Sequence, residues 1–268
     1  MSQQCPNLAL LNGYGGQEPL SDINLHFDRP VRALLRDERQ NLIVFDGDDT
    51  LWMTEHLYDS ARDKCRRIVE SYGLDGEEWN ELERQLDVAN VAKYGLSRFR
   101  FPESCIVAYN KIAGSMANDL ARDLIVEAAR TVFRAIAPLA DGVEELLLDL
   151  TRKYSLVLVT QGDPLIQIKR INDSDLAWAF SEVRIVQTKS RNSFKEVLRQ
   201  SGADPRQSWS IGNSFPSDVQ PALEVGMNAI WIPTHVWEYE HRLVEKCRTR
   251  ERAIQIDSLE GVRQIITM

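Results

Sequence analysis

An apolar run ends in three closely spaced acids in the segment 42-LIVFDGDDTLW-52. Asp46, Asp48 and Asp49 would repel one another, and each would lose hydration if it were partly buried. Residues two apart in an extended chain lie on the same side, so Asp46 and Asp48 can face one site. We therefore expect carboxylate chemistry here, as metal binding, nucleophilic attack or proton transfer.

Polar residues also follow three later apolar runs that we predict to be strands. They are Thr160, Gln161 and Gly162 after the second run, Lys189 after the third, and Gly212, Asn213, Ser214 and Asp218 after the fourth. In an open parallel sheet, the ligand crevice lies beyond the carboxyl ends of the strands. Carboxyl and amide oxygens suit Mg²⁺, whereas a hydroxyl, backbone N–H groups and an ammonium suit phosphate. Phosphoryl transfer needs both sets, because the attacking group and the phosphoryl oxygens are all negative.

The pattern of apolar residues predicts the elements that position these groups. Short apolar runs begin near residues 42, 156, 183, 208 and 229, with a weaker one at 253–257. Runs of this kind are typical of strands that are buried on both faces. Helical patterns separate most of them. The alternation predicts an α/β fold with a doubly wound, parallel, Rossmann-like sheet.

One interval breaks the alternation and suggests a second domain. Residues 55–136 contain four helical patterns and no strand candidate, which is too long for a crossover. We predict that they form an inserted all-helical cap. The catalytic core would then comprise residues 41–54 and 137–268. Residues 1–40 are polar with scattered Gly and Pro, and we interpret them as an N-terminal extension that carries no evident chemistry.

Four segments together resemble the motifs of the haloacid dehalogenase-like (HAD) hydrolases. DGDDTLW is similar to motif I (DxDxT), LVLVTQG to motif II, 189-KSRNSF-194 to motif III and 212-GNSFPSDVQPALEVGM-227 to motif IV. All four occur in the family order, and the resemblance covers roughly residues 41–260. It implies a HAD-type core, a C1-type helical cap in the place of the insertion, and a phosphatase that uses Mg²⁺.

The resemblance implies distinct roles for the first two acids. Asp46 corresponds to the nucleophile that forms an aspartyl-phosphate. Asp48 corresponds to the acid/base, which gives a proton to the leaving oxygen and takes one from the hydrolytic water. Asp49 receives no catalytic role, and a turn or helix N-cap function is favoured. Thr50 is expected to fix the turn by hydrogen bonding.

Motifs II and III imply a phosphate site. Thr160 would bind phosphoryl oxygens through its hydroxyl, with help from the backbone N–H groups of Gln161 and Gly162. Lys189 would neutralise the charges of the nucleophile and the phosphate. Lys195 competes for that role, but it lies in a predicted helix where a solvated position is expected.

Motif IV departs from the usual acidic pair, because Asn213 fills the first acidic position. The implied Mg²⁺ ligands are Asp46, the backbone carbonyl of Asp48, Asp218 and Asn213, the last either directly or through a water molecule. Two carboxylates would neutralise the cation without excess negative charge.

A basic and aromatic run in the predicted cap, 97-SRFRF-101, follows Gly95. Most such runs are surface or packing features. If this loop faces the crevice, however, Arg98 or Arg100 could bind an anionic part of the substrate.

Composition limits the partners. The net charge of −8 argues against nucleic-acid and anionic-membrane surfaces, since both need clustered positive charge. No window approaches the roughly 20 apolar residues of a membrane span. The four cysteines are scattered and lack metal-ligand spacing, which suggests reduced thiols and a cytoplasmic location. The sequence does not indicate an oligomeric state.

The leading hypothesis is a Mg²⁺-dependent phosphatase that acts on a small phosphorylated metabolite. A dehalogenase would need an Asp nucleophile but neither an acid/base Asp nor Mg²⁺, so Asp48 and Asp218 argue against it. A phosphonatase would need a cap lysine, for which Lys64 and Lys93 are available. A phosphomutase and a catalytically silent binding or regulatory protein on the same fold remain alternatives.

Overall fold

The computed structural model describes residues 22–26, 41–234 and 252–266. Its described strands form one sheet in the order β1-β4-β3-β2-β5-β6-β7. They are β1 (Ile23–His26), β2 (Leu42–Phe45), β3 (Ser155–Gln161), β4 (Glu182–Val186), β5 (Trp209–Gly212), β6 (Asn228–Trp231) and β7 (Ile254–Gln255). All neighbouring pairs are parallel except β1 with β4. The predicted α/β fold is confirmed.

Helices connect the strands and fill the long interval after β2. They are α1 (Glu55–Ser71), α2 (Gly76–Tyr94), α3 (Arg100–Ala113), α4 (Asp119–Arg134), α5 (Val143–Leu150), α6 (Pro164–Ser174), α7 (Arg191–Ser201), α8 (Gln220–Glu224) and α9 (Glu260–Ile266). A single π-helical turn, Phe215–Val219, precedes α8.

The central strand β2 shows why the sheet is doubly wound. Its four residues are all buried, and successive side chains point to opposite faces. Ile43 and Phe45 pack in one apolar cluster with residues of α5, α6 and α9. Leu42 and Val44 pack in another with residues of α7 and α8. Helices therefore cover both faces, as a parallel sheet requires.

Helices α1–α4, which we call the four-helix segment, have their own apolar cluster. It contains Trp79, Phe101, Tyr109 and Ile125, together with Cys65 and Cys105 as free, buried thiols. The segment occupies the interval predicted for a cap, and its division from the core as a separate domain stays a prediction. Cys5 and Cys247 lie outside the described residues.

The sequence patterns do not predict two elements of the fold, strand β1 and helix α6. Strand β1 lies within the predicted N-terminal extension and pairs antiparallel with the outer edge of β4, Ile23 opposite Ile185. Helix α6 follows β3, with Asp163 as its N-cap and Pro164 in its first turn.

Among the described residues, no helix is long and apolar enough to cross a membrane.

Candidate active site

Asp46 lies at the carboxyl end of the central strand. Its backbone N–H donates to the carbonyl of Ile211 at 2.9 Å, which extends the pairing of β2 with β5 by one residue. Its side chain is buried, with Oδ2 accepting from the hydroxyl of Thr50 at 2.8 Å and Oδ1 paired with Lys189 Nζ. The buried strand thus presents one carboxylate in a fixed orientation.

Lys189 joins Asp46 to Asp218. Its Nζ lies 2.6 Å from Asp218 Oδ1 and also contacts Asp46 Oδ1, and all three side chains are buried. Burial lowers the pKa of Lys189, but Asp218 and Asp46 outweigh this and hold it above its ordinary value. Lys195 is exposed on α7. The structure therefore places Lys189, rather than its competitor, beside the predicted nucleophile.

The same group of charges changes the proton affinity of Asp46. Burial raises the pKa of Asp46, Asp218 raises it further and Lys189 lowers it, with a result of about 7. The charged form of Asp46 is therefore disfavoured, chiefly because the side chain is buried.

Asp48 points to a different set of partners. Its Oδ1 accepts from Trp52 Nε1 at 2.6 Å, and its Oδ2 accepts from Gln167 Nε2 at 2.9 Å and pairs with Arg170 Nη1. The Trp52 indole packs so closely on Gly47 that a Cβ there would lie 2.5 Å from the ring. Glycine at position 47 therefore allows the tryptophan to hold Asp48.

Asp49 accepts hydrogen bonds from the start of helix α1, whose N-cap residue is Thr54. Its Oδ1 accepts from the backbone N–H of Thr54 at 2.7 Å and of Glu55 at 3.1 Å, and its Oδ2 accepts from the Thr54 hydroxyl at 2.6 Å. This confirms the structural role expected for the third acid. Thr50 likewise bonds Asp46 and accepts from the backbone N–H of Asn213 at 3.0 Å.

We expect Asp49→Ala to lower stability while leaving the chemistry largely intact. Loss of side-chain hydrogen bonds to the start of a helix costs about 0.5 to 2 kcal/mol, and alanine adopts the positive φ of 57° less readily than aspartate. Thermal unfolding and kcat at saturating substrate would measure the two effects. A fall in kcat comparable to that caused by changing Asp48 would contradict the capping role.

The predicted phosphate-binding groups are together but already engaged. The Thr160 hydroxyl donates to Gln167 Oε1 at 2.9 Å, and the Gly162 N–H donates to the carbonyl of Val186 at 3.3 Å. The Gln161 side chain accepts from the backbone N–H of Lys189 at 3.0 Å. Phosphate binding by Thr160 and Gly162 would replace these internal bonds.

The predicted metal ligands converge from β2, β5 and the turn after β5. Asn213 and Asp218 are buried, and Asp218 Oδ2 accepts from the N–H of Ser214 at 2.9 Å. Gly212 allows this approach, because a Cβ there would lie 2.2 Å from Asp218 Oδ2. Within the described ranges, no group of three or more His, Cys, Asp and Glu side chains is arranged to hold a metal ion. This does not bear on the whole predicted set, because two of its four ligands are the Asn213 amide and the Asp48 backbone carbonyl, which are not His, Cys, Asp or Glu side chains.

A pocket of about 150 Å³ lies between the strand ends and the four-helix segment. Asp46, Asp48, Thr160, Lys189 and Asn213 line it from the sheet side. From the four-helix segment its lining includes Glu55, Tyr58, Arg62, Arg98 and Arg100. Two residues of the run 97–101, Arg98 and Arg100, therefore line the pocket, as the hypothesis for them requires.

Both of these arginines already have carboxylate partners. Arg98 Nη1 lies 3.4 Å from Asp163 Oδ1, and its backbone N–H donates to Asp163 Oδ2 at 3.2 Å. Arg100 is buried and pairs with Asp87. Their role in substrate binding stays a prediction.

Helix α2 buries two acids on its inner face, next to Trp79. Glu83 accepts from Arg62 Nε at 3.0 Å, and Asp87 pairs with Arg100. Glu83 is fully buried. Burial raises the pKa of Glu83, Arg62 opposes this and Asp87 adds to it, with a result of about 7. The inner wall of the four-helix segment is therefore held together by charge pairs as well as by apolar packing.

This arrangement predicts a pH-dependent stability. Folded Glu83 binds a proton more tightly than the unfolded chain, whose value is 4.5, so its effect lowers the free energy of unfolding as pH rises from about 4.5 to 7. In Glu83→Gln this dependence is removed, and the fall in unfolding free energy between pH 5 and 8 should be shallower than in the wild type. Urea unfolding at several pH values measures it, with Glu144→Gln on an exposed site as the control. Equal slopes in wild type and Glu83→Gln would contradict it.

Sequence patterns did not reveal the partners of Asp48. Gln167 and Arg170 are one turn apart on α6, whose apolar pattern is weak. A usable signal was present, because Asp163 followed by Pro164 is a typical start of a helix. Which side chains of that helix reach Asp48 is decided by tertiary packing.

The chain matches the family model described as haloacid dehalogenase-like hydrolase over residues 40–226. It belongs to this family, and the resemblance noted in its motifs is confirmed. A HAD-like hydrolase structure from Xanthomonas campestris has a TM-score of 0.68 at 23% identity and covers 85% of this chain and 96% of its own. A HAD hydrolase from Bacillus subtilis, solved bound to magnesium, has a TM-score of 0.58 at 18% identity and covers 86% and 100%. At these identities both show the fold alone.

Curated relatives of this chain carry the name glyceraldehyde 3-phosphate phosphatase. The protein from Methanopyrus kandleri is 25% identical over 71% of this chain and 82% of its own length. The protein from Methanothermobacter thermautotrophicus is 24% identical over 76% and 90%. Together with the hydrolase family, they confirm the predicted enzyme class, a HAD-type phosphatase.

Proposed function

We propose that this chain is a Mg²⁺-dependent phosphatase that hydrolyses a small phosphorylated metabolite through an aspartyl-phosphate on Asp46. The supporting observation is the separation of two carboxylates at one pocket. Asp46 pairs with Lys189, whereas Asp48 is held by Trp52, Gln167 and Arg170. Two neighbouring acids with different partners can perform different tasks.

In the first step, one carboxylate oxygen of Asp46 attacks phosphorus. The P–O bond to the leaving group breaks, and Asp48 gives its proton to the leaving oxygen. In the second step, Asp48 takes a proton from a water molecule whose oxygen attacks phosphorus. This releases inorganic phosphate and restores Asp46. Lys189 offsets negative charge near the nucleophile in both steps.

The residues at the site fit Mg²⁺. Asp46, Asp218, the Asp48 backbone carbonyl and Asn213 offer only oxygen donors, which this cation prefers. Burial and the neighbouring Asp218 raise the pKa of Asp46 to about 7, and a bound cation would favour its charged form. When bound, Mg²⁺ would supply charge neutralisation for the phosphoryl oxygens.

The four-helix segment supports a small substrate. It contributes one wall of a pocket of about 150 Å³, so we propose that it acts as a cap over the crevice and favours metabolites over macromolecules. Glyceraldehyde 3-phosphate, named in the relatives, is the first substrate to test. Lys64 and Lys93 are exposed and do not line the pocket, which disfavours the phosphonatase alternative.

The test is hydrolysis of an aryl phosphate by the full chain, after chelation and after restoring Mg²⁺. We expect turnover only with the cation, followed by a clear preference within a panel of small phosphomonoesters. Absence of turnover with several divalent metals would favour a catalytically silent protein instead.

A further inference from the structure

Arg170 lies next to Asp48 and helps to hold it, but only one of its two terminal nitrogen atoms takes part in that contact. Its side chain is 6% exposed, and it extends from α6 into the lining of the pocket. Nη1 pairs with Asp48 Oδ2. Nη2 is buried and makes no hydrogen bond of ordinary geometry in the part of the chain that the structure describes. Burial lowers the pKa of Arg170, but Asp48 and the nearby Tyr58 side chain outweigh this and hold it above its ordinary value.

A buried guanidinium nitrogen without an acceptor is costly. A guanidinium has five N–H donors, and leaving a buried one unpaired forfeits its hydration without replacement. Other arginines of the pocket have nearby carboxylates, Arg62 with Glu83 at 3.0 Å and Arg98 with Asp163 at 3.4 Å. The Asp48 carboxylate, by contrast, is shared among Trp52, Gln167 and Arg170.

The position of Arg170 relates it to the leaving group. In the proposed function, Asp48 meets the leaving oxygen, and Lys189 lies with Asp46 at the nucleophile. Arg170 contacts Asp48 and neither Asp46 nor Lys189 through any hydrogen bond described. A substrate that places its ester oxygen at Asp48 therefore brings the rest of its leaving group toward Arg170.

We propose that Arg170 determines specificity by donating from Nη2 to an oxygen acceptor on the leaving group. The inference rests on the proposed function. With this contact, Arg170 selects phosphomonoesters whose leaving group carries a further oxygen atom over those of hydrocarbon alcohols. A carboxylate is the strongest form of this acceptor, because a guanidinium binds it with charge-assisted hydrogen bonds. A hydroxyl or carbonyl oxygen would be a weaker form.

The experiment compares esters that differ in this acceptor. Ethyl phosphate has none, 2-hydroxyethyl phosphate carries a hydroxyl and phosphoglycolate carries a carboxylate. We expect the wild type with Mg²⁺ to prefer phosphoglycolate to ethyl phosphate at least tenfold in kcat/KM. Arg170→Gln and Arg170→Lys should lower kcat/KM for all three, since both disturb Asp48. They should lower it for phosphoglycolate by a further factor of about 10 to 100.

Controls separate the possible outcomes. Arg184→Gln removes a buried arginine that pairs with Glu182 at 2.6 Å outside the pocket, and it should leave the preference unchanged. If the Arg170 variants lower kcat/KM by the same factor for all three esters, Arg170 only positions Asp48, and the inference is overturned. The inference is also overturned if the wild type does not prefer phosphoglycolate to ethyl phosphate, and this result can be obtained without any variant. If the wild type hydrolyses the aryl phosphate but none of these three esters, the inference alone is overturned. If it hydrolyses neither the aryl phosphate nor these esters, the proposed function fails as well.

Discussion

Asp46→Asn is expected to lower kcat by about 10³-fold to 10⁵-fold while the fold is kept. An amide of the same size is too weak a nucleophile to form the acyl phosphate. Stability should be unchanged or higher, because burial and Asp218 already disfavour the charged form of Asp46. The measurements are steady-state hydrolysis and thermal unfolding. Acid quenching with a labelled ester should trap phosphoprotein in the wild type and none in the variant.

A matched control for this variant is Asp49→Asn, which makes the same replacement of aspartate by asparagine three residues later in the chain. Asp49 bonds Thr54 and Glu55 rather than the reacting groups, so its effect on kcat should be small. Full activity or labelled phosphoprotein in Asp46→Asn would overturn the nucleophile assignment.

Lys189→Met is expected to damage both activity and folding. Without the ammonium, Asp46 and Asp218 face each other in a buried site, which raises the pKa of Asp46 still further. Removing one partner of a buried charge group costs about 3 to 5 kcal/mol. Loss of electrostatic stabilisation should lower kcat by about 10²-fold to 10³-fold. Urea unfolding and hydrolysis assays measure the two effects on one preparation.

Lys195→Met is the control for Lys189→Met, because Lys195 is the other lysine that the sequence offers for the same role. Lys195 is exposed on α7, so its change should shift stability by less than about 0.5 kcal/mol and activity by less than twofold. Similar losses in the two lysine variants would show that position 189 is not special.

Sequence reasoning succeeded where local pattern and sheet geometry decide the outcome. A buried run followed by acids located β2 and Asp46, and parallel strands necessarily bring their carboxyl ends to one edge. The place of Lys189 after a strand favours it over Lys195, and in the structure its Nζ contacts Asp46.

Sequence reasoning failed where distant packing decides. Glu83 and Asp87 have the composition of a solvated helix face, yet both are buried because Arg62 and Arg100 pair with them. Arg170 contacts Asp48 from a helix more than a hundred residues later in the chain. Neither contact has a local signature.

Strand β1 has a consequence for biosynthesis. Its pairing with β4, Ile23 opposite Ile185, covers an edge whose free N–H and C=O groups could otherwise bind a neighbouring chain. Closing so long a loop has an entropic cost, but that cost grows only slowly with loop length. Because translation delivers β1 before β4, the covering strand is already available when the vulnerable edge leaves the ribosome. A covering strand at the carboxyl terminus would leave this edge unprotected until synthesis ended.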